Sequence, residues 1–227
     1  ASPALAVVTY DATAGDDTGA SDEDFTLNWN HITAAGSNRA IIIGTYSRTD
    51  NGAVTVTVDG ASATNWCTNT TGSDGLATLW YYKGQAVGTN AIVVNFTNVS
   101  PDRAHAGGSV SFAGVHQTTP LGTVVENNTA GATSLSTNLT IATGELGVDI
   151  IGTRAAAGLT VGSGQTQRQN RCTSNGTTDI CMGISTSATV GVEAMNWTFG
   201  ASQVAHQCTA AVKAAASVIP GKAVFLD

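Results

Sequence analysis

The chain is predicted to be an all-β protein, a jelly-roll-like antiparallel β-sandwich of about twelve strands, and three observations predict it. Short apolar and β-branched runs recur along the 227 residues, separated by Gly, Asn, Asp and Ser turns. Only 11% of residues are charged, against about 25% in ordinary globular domains, and small residues suited to extended strands fill the gap. The third observation is an internal echo: Asn95-Phe96-Thr97 followed by Ala104-His105 returns as Asn196-Trp197-Thr198 followed by Ala205-His206 at the same spacing.

Upstream, Ile42-Ile43-Gly44-Thr45 returns as Ile150-Ile151-Gly152-Thr153, and the turn Asp59-Gly60 as Ser163-Gly164. The offsets drift by a few residues, as loops of unequal length between matching strands produce. Two similar strand series follow, about residues 25–115 and 135–215. A period near a hundred residues is too long for a solenoid unit, so the series are expected to form the two halves of one sandwich spanning 25–215. Segment 1–24 is set apart as an N-terminal strand with an acidic loop, and 216–227 as a C-terminal arm.

The elements follow in order. ALAVVTY (4–10) is a first strand, and DATAGDDTGASDEDF after it holds six of the sixteen acidic residues and no base. Asp16, Asp17, Asp22 and Asp24 there offer hard oxygen ligands for a Ca²⁺ ion, or simply form a solvated acidic loop, since the spacing is not that of an EF-hand. From Phe25 come FTLNWNHI, RAIIIGTYSR and VTVTVDG; the alternation in VTVTV marks a strand with one face buried and one wet. LATLWYYKG, AIVVNFTNV and HAGGSVSFAGV close the first series, and HQTTPLGTVVENNTAGAT links it to the second. There LSTNLTI, ELGVDIIGT, LTVGSGQTQRQ, CMGISTSATV, EAMNWTFG and VAHQCTAAVKA read as strands. The last has helix-forming composition, and its match to HAGGSVSFAGV assigns it as strand.

Taken together, NRAIIIGTYSR, LWYYKG, SVSFAGVHQTTPLG and the final AAVKAA resemble a diffuse group of jelly-roll or lectin-like β-sandwich domains found in secreted bacterial surface proteins and in phage virion proteins. The resemblance runs from about Phe25 to Ala215, with SFAGVHQTTPLG its most specific piece. It implies a sandwich used in surface or particle structures and brings no catalytic set with it. The tail after Ala215 departs from the pattern.

Four cysteines permit three pairings. Cys172 and Cys181 bracket a polar Asn-Gly turn and can close a hairpin, which leaves Cys67 for Cys208; free buried thiols are the alternative. Bridges would place the protein outside the reducing cytosol, secreted or on a surface, with a virion as the alternative. The chain opens Ala1-Ser2-Pro3, consistent with a removed leader or a trimmed Met.

A net charge of −7 argues against a nucleic-acid partner, and no apolar run is long enough to span a membrane. No G-x-S-x-G elbow occurs. His105 and His206 share a repeat position, which explains them structurally, and His31 and His116 have no implied partner. Asp149 is the one acid in an apolar strand and is expected to face outward; no second carboxylate pairs with it for glycoside hydrolysis. The chain is therefore expected to be non-enzymatic and, Ca²⁺ aside, to need no cofactor.

Seven N-x-Ser/Thr sequons occur, of which Asn69, Asn127 and Asn175, placed in loops, are the expected glycan acceptors. Trp66, beside Cys67 in a Thr/Asn-rich stretch, is the best candidate for stacking on a sugar. The arm carries Val218, Ile219, Val224, Phe225 and Leu226 around a Pro220-Gly221 bend, apolar text that needs a sheet edge to dock on, so these are the expected subunit contacts. The expected function is a structural subunit that assembles with copies of itself into an extracellular filament, sheath or surface layer. A phage capsid-decoration or tail protein and a carbohydrate-binding module are the alternatives.

Overall fold

The computed structural model describes residues 7–19, 25–48, 53–70, 75–97, 104–154, 158–174 and 179–216. Asp22, Asp24, Asn175 and the arm from 217 onward lie outside the described residues. Among the described residues fifteen strands are found, against the twelve or so expected. The first half of the chain forms β1 (Thr9–Gly19), β2 (Phe25–Thr33), β3 (Ala40–Ser47), β4 (Ala53–Val58), β5 (Ala61–Ser62), β6 (Thr64–Thr70), β7 (Leu76–Lys83), β8 (Gly88–Thr97) and β9 (Ala104–Ala113). The second half forms β10 (Val125–Ile141), β11 (Leu146–Thr153), β12 (Leu159–Val161), β13 (Gln165–Ser174), β14 (Asp179–Ser187) and β15 (Gly191–Val212). All pairings are antiparallel, and among the described residues no helix is long and apolar enough to cross a membrane.

In the first half, the order β1-β9-β3-β7-β6 makes one sheet and β2-β8-β4-β5 a second. Early strands thus pair with late ones, β1 with β9 and β2 with β8, which is a long hairpin wrapped over itself as in a jelly roll. The second half repeats the plan with longer strands. β10 and β15 pair along almost their whole length, so that their outer stretches share a layer with β12 while their other ends join β11, β14 and β13. Register shifts between Thr129, Ala132 and Ser134 let β10 turn that corner.

The expected β-sandwich is present, in three antiparallel sheets among the described residues, and the two larger, one from each half, stack face to face. The central core mixes both halves: Ile42, Tyr46, Val110 and Phe112 meet Val148, Ile150, Met182 and Val212. Outside it, Leu27, Ile41, Ile43, Val94 and Phe96 fill the first half's own interior, and Leu135, Ile151, Leu159 and Trp197 the second's. β3 is consequently buried at every position, and β9, β11 and β14 at almost every one. A strand covered on both faces reads as a continuous apolar run rather than an alternation, as AIIIG does. The two central sheets come close enough that a Cβ on Gly44 would overlap Ile150, and one on Gly152 would overlap the Tyr46 ring.

The stretch assigned to an acidic loop is corrected. Residues 9–19 are a strand of the first jelly roll, with Asp16 opposite Gly107 and Asp17 opposite Ala106. Likewise the supposed link contains the start of β10, because Val125 pairs with Thr209.

Candidate functional site

The groups with chemical potential fall into interior clusters, the seam between halves, and one open side of the second half. Asp149 is the deepest. β11 turns it away from the central core into the second half's interior, where it is fully buried rather than outward-facing. Its Oδ1 accepts from the Ser185 amide at 3.1 Å and hydroxyl at 2.6 Å, and its Oδ2 from Trp197 Nε1 at 2.7 Å and Gln207 Nε2 at 2.8 Å. Burial pushes its pKa up to about 6, against the opposing pull of those four donors. With no exposed surface, the carboxyl ties β11, β14 and β15 together.

The first half has its own polar interior. Ser109 Oγ lies 2.7 Å from His31 Nδ1 and accepts from Trp29 Nε1 at 2.9 Å. Burial lowers the His31 pKa to about 4, the charge of Asp11 opposing it, and burial lowers His105 to about 4 as well. His105 stacks on Phe96 at 4.5 Å between ring centroids, whereas His206 lies beside Tyr46, 6.2 Å away. Phe96 belongs to the first half's interior and Tyr46 to the central core, so the matched histidines face opposite sides of their sheets. Equal spacing in sequence does not make them structurally equivalent. His116 Nδ1 caps a turn, accepting from the Thr118 and Thr119 amides at 3.2 and 3.0 Å.

At the seam, Cys67 of β6 is bridged to Cys208 of β15, and Cys172 of β13 to Cys181 of β14. The first bridge joins the two halves. Glu126 Oε1 lies 3.3 Å from Cys67 Sγ, and these three residues are the only grouping of possible metal ligands among the described residues. Both sulfurs are committed to the bridge, so no thiolate site exists there. Of the proposed Ca²⁺ ligands, Asp16 and Asp17 lie within β1, where Asp16 accepts the Asn28 amide at 3.3 Å, and Asp22 and Asp24 lie outside the described residues.

Two side-chain amides clasp the seam at opposite edges. Asn69 of β6 donates through Nδ2 to the main-chain oxygens of Asn127 and Gln207 at 2.8 and 2.9 Å. Gln169 of β13 donates through Nε2 to Thr13 Oγ1 and the Ala14 oxygen at 2.5 and 2.7 Å. Asn69 is therefore corrected as a glycan acceptor, because the nitrogen a sugar would occupy is buried and doubly engaged. Asn127 is exposed, donating to the Ser136 oxygen at 2.8 Å. Trp66 is corrected as well: its indole N–H donates to the Gly122 oxygen at 3.0 Å and its ring packs edge-on against Tyr81 at 5.4 Å. Held so, it is a brace for the seam and not a free stacking platform.

The open feature is a cleft of 420 Å³ on the second half, between the two arms of the bent β10. Its lining includes Val125, Leu139 and Ala211, of which Leu139 and Ala211 are packed into a core cluster, and the charged Glu145 and Lys213; Glu145 Oε2 accepts the Ala142 amide at 3.1 Å. None of these residues stood out in the sequence. A second cleft of 410 Å³ lies on the outer face of β2 and β8, lined by uncharged residues such as Thr26, Asn28 and Asn30.

The class so defined is a two-disulfide, antiparallel β-sandwich protein of tandem jelly-roll build. Comparison of the chain with protein-family models returns no match, and comparison with curated proteins returns none.

Proposed function

We propose that the chain is a non-enzymatic structural subunit that assembles with copies of itself into an extracellular filament, sheath or surface layer. One observation carries this reading: four titratable side chains set within the strands, Asp149, His31, His105 and His206, are fully buried, while the two halves share a core and are cross-linked by Cys67–Cys208. A body sealed and clamped in this way suits a load-bearing block better than a catalyst, whose groups must reach a substrate. Two disulfides are compatible with a location outside the reducing cytosol. A sugar-binding role loses support because Trp66 is tied down.

Electron microscopy of the purified full chain over a concentration series tests the proposal. Ordered repeating assemblies are expected above a threshold concentration. A monodisperse monomer at every concentration, coupled with saturable binding on a glycan array, would overturn it in favour of a carbohydrate-binding module.

A further inference from the structure

Where β2, β8 and the turn between β7 and β8 meet, buried acceptors are left without donors. His31 on β2 stands directly opposite Asn90 on β8, and both are fully buried. Asn90 Nδ2 lies within 3.4 Å of four oxygens: the main-chain oxygens of His31, Ala86 and Gly88, and the Thr33 hydroxyl. Only a nitrogen can sit among three carbonyls, so the other end of that amide is an oxygen. This Oδ1 is buried and has no partner among the described residues.

The same counting fixes the His31 ring. Ser109 Oγ gives its proton to the Ala14 oxygen at 3.3 Å and accepts from Trp29 Nε1 at 2.9 Å, which leaves it only a lone pair for His31 Nδ1 at 2.7 Å. Nδ1 therefore carries the ring proton. Burial keeps the imidazole neutral at pH 7, so Nε2 is a bare lone pair, and it too is buried without a partner. Gln85, 2% exposed, precedes Ala86 in the turn that Asn90 faces, and both polar atoms of its side chain are buried and unpartnered as well.

We infer that this junction binds an internal water molecule, which donates to His31 Nε2 and Asn90 Oδ1 and accepts from Gln85 Nε2. Two acceptors and one spare donor call for a neutral molecule with two hydrogens and a lone pair, and buried waters make about three such bonds. An ion fits poorly, because an unpaired buried charge is costly. Asp11, whose charge acts on His31, is already held by the Ser111 hydroxyl at 2.8 Å and the Ala34 amide at 2.9 Å. In the second half, by contrast, Asp149 finds its four donors within the protein. The water ties the β7–β8 turn to β2, and the inference is independent of the self-assembly reading.

The test uses the full chain labelled with ¹⁵N, in solution or, for assembled material, under magic-angle spinning. Nitrogen–proton correlations of the His31 ring should show a protonated Nδ1 and a bare Nε2, and long-lived water should give a cross-peak to Hδ2, the ring proton beside Nε2. A proton on Nε2, or no water cross-peak at Hδ2, would overturn the inference. Gln85→Leu removes the donor and leaves the Ser109 and Thr33 hydroxyls in place, so the cross-peak should fall several-fold in that variant. A peak of wild-type strength there would mean a signal relayed through a hydroxyl and would likewise overturn the site. Should the variant not fold, the wild-type spectrum decides alone.

Discussion

Asn69 Nδ2 donates to the main-chain oxygen of Gln207 at 2.9 Å, reaching from an edge strand of the first half into the second. Replacing Asn69 by Leu keeps the volume and removes the donor from one buried and one half-buried carbonyl oxygen, at a cost of about 1–3 kcal/mol. Urea denaturation checks this, and Asn127→Asp, on an exposed residue, should cost much less. Peptide mapping after expression in a glycosylating host should find Asn69 unmodified in folded protein.

The acid response has a definite sign. Folding lowers His31 and His105 from 6.5 to about 4, so each contributes stability that is complete above pH 6.5 and lost as pH falls toward 4, on the order of 3 kcal/mol per histidine. Asp149 is raised from 3.8 to about 6, and its contribution runs the other way: complete below 3.8, lost as pH rises through 6. Between pH 6.5 and 4 the two histidines outweigh the one carboxyl, and these groups together weaken the fold on acidification. In H31Q/H105Q that loss should disappear and the Asp149 contribution emerge as a gain toward pH 4. Urea midpoints at pH 7, 5.5 and 4 decide it; an unchanged acid loss in the double variant would rule the account out.

The two bridges should differ in weight. Cys67 and Cys208 are 141 residues apart and Cys172 and Cys181 nine apart. On the chain-entropy view, removing them costs about 5 and about 3 kcal/mol respectively. C67A/C208A and C172A/C181A compared by calorimetry should rank in that order, and the reverse ranking would show that chain entropy does not govern here.

Gly152→Ala should destabilise by about 1–3 kcal/mol through overpacking, since the added methyl overlaps the Tyr46 ring. Gly60 has φ +79° with open space around it, so Gly60→Ala meets only backbone strain, about 1 kcal/mol. Adding Tyr46→Leu to Gly152→Ala should recover part of the first loss and none of the second.

Sequence by itself indicated the all-β class, the turns and the doubling of the plan, and it favoured the cysteine pairing that the structure contains. Strands and turns are legible because alternation and turn residues act within a few positions. It also determined that VAHQCTAAV is strand, since its counterpart HAGGSVSFAGV could only be one. What tertiary structure decided is which faces are covered. Alternation tells which residues share a face and says nothing about whether another layer lies over it, so a sheet with one wet face and a sheet covered on both read alike. For the same reason Asp149 could not be placed until packed strands were found over both faces of β11. His105 and His206 could not be told apart either, because β15 runs unbroken where β8 and β9 are separate strands, and only the fold shows which way each ring turns. The cleft beside β10 is likewise tertiary: it exists because small side chains from distant strands meet at a bend, and no stretch of sequence holds it.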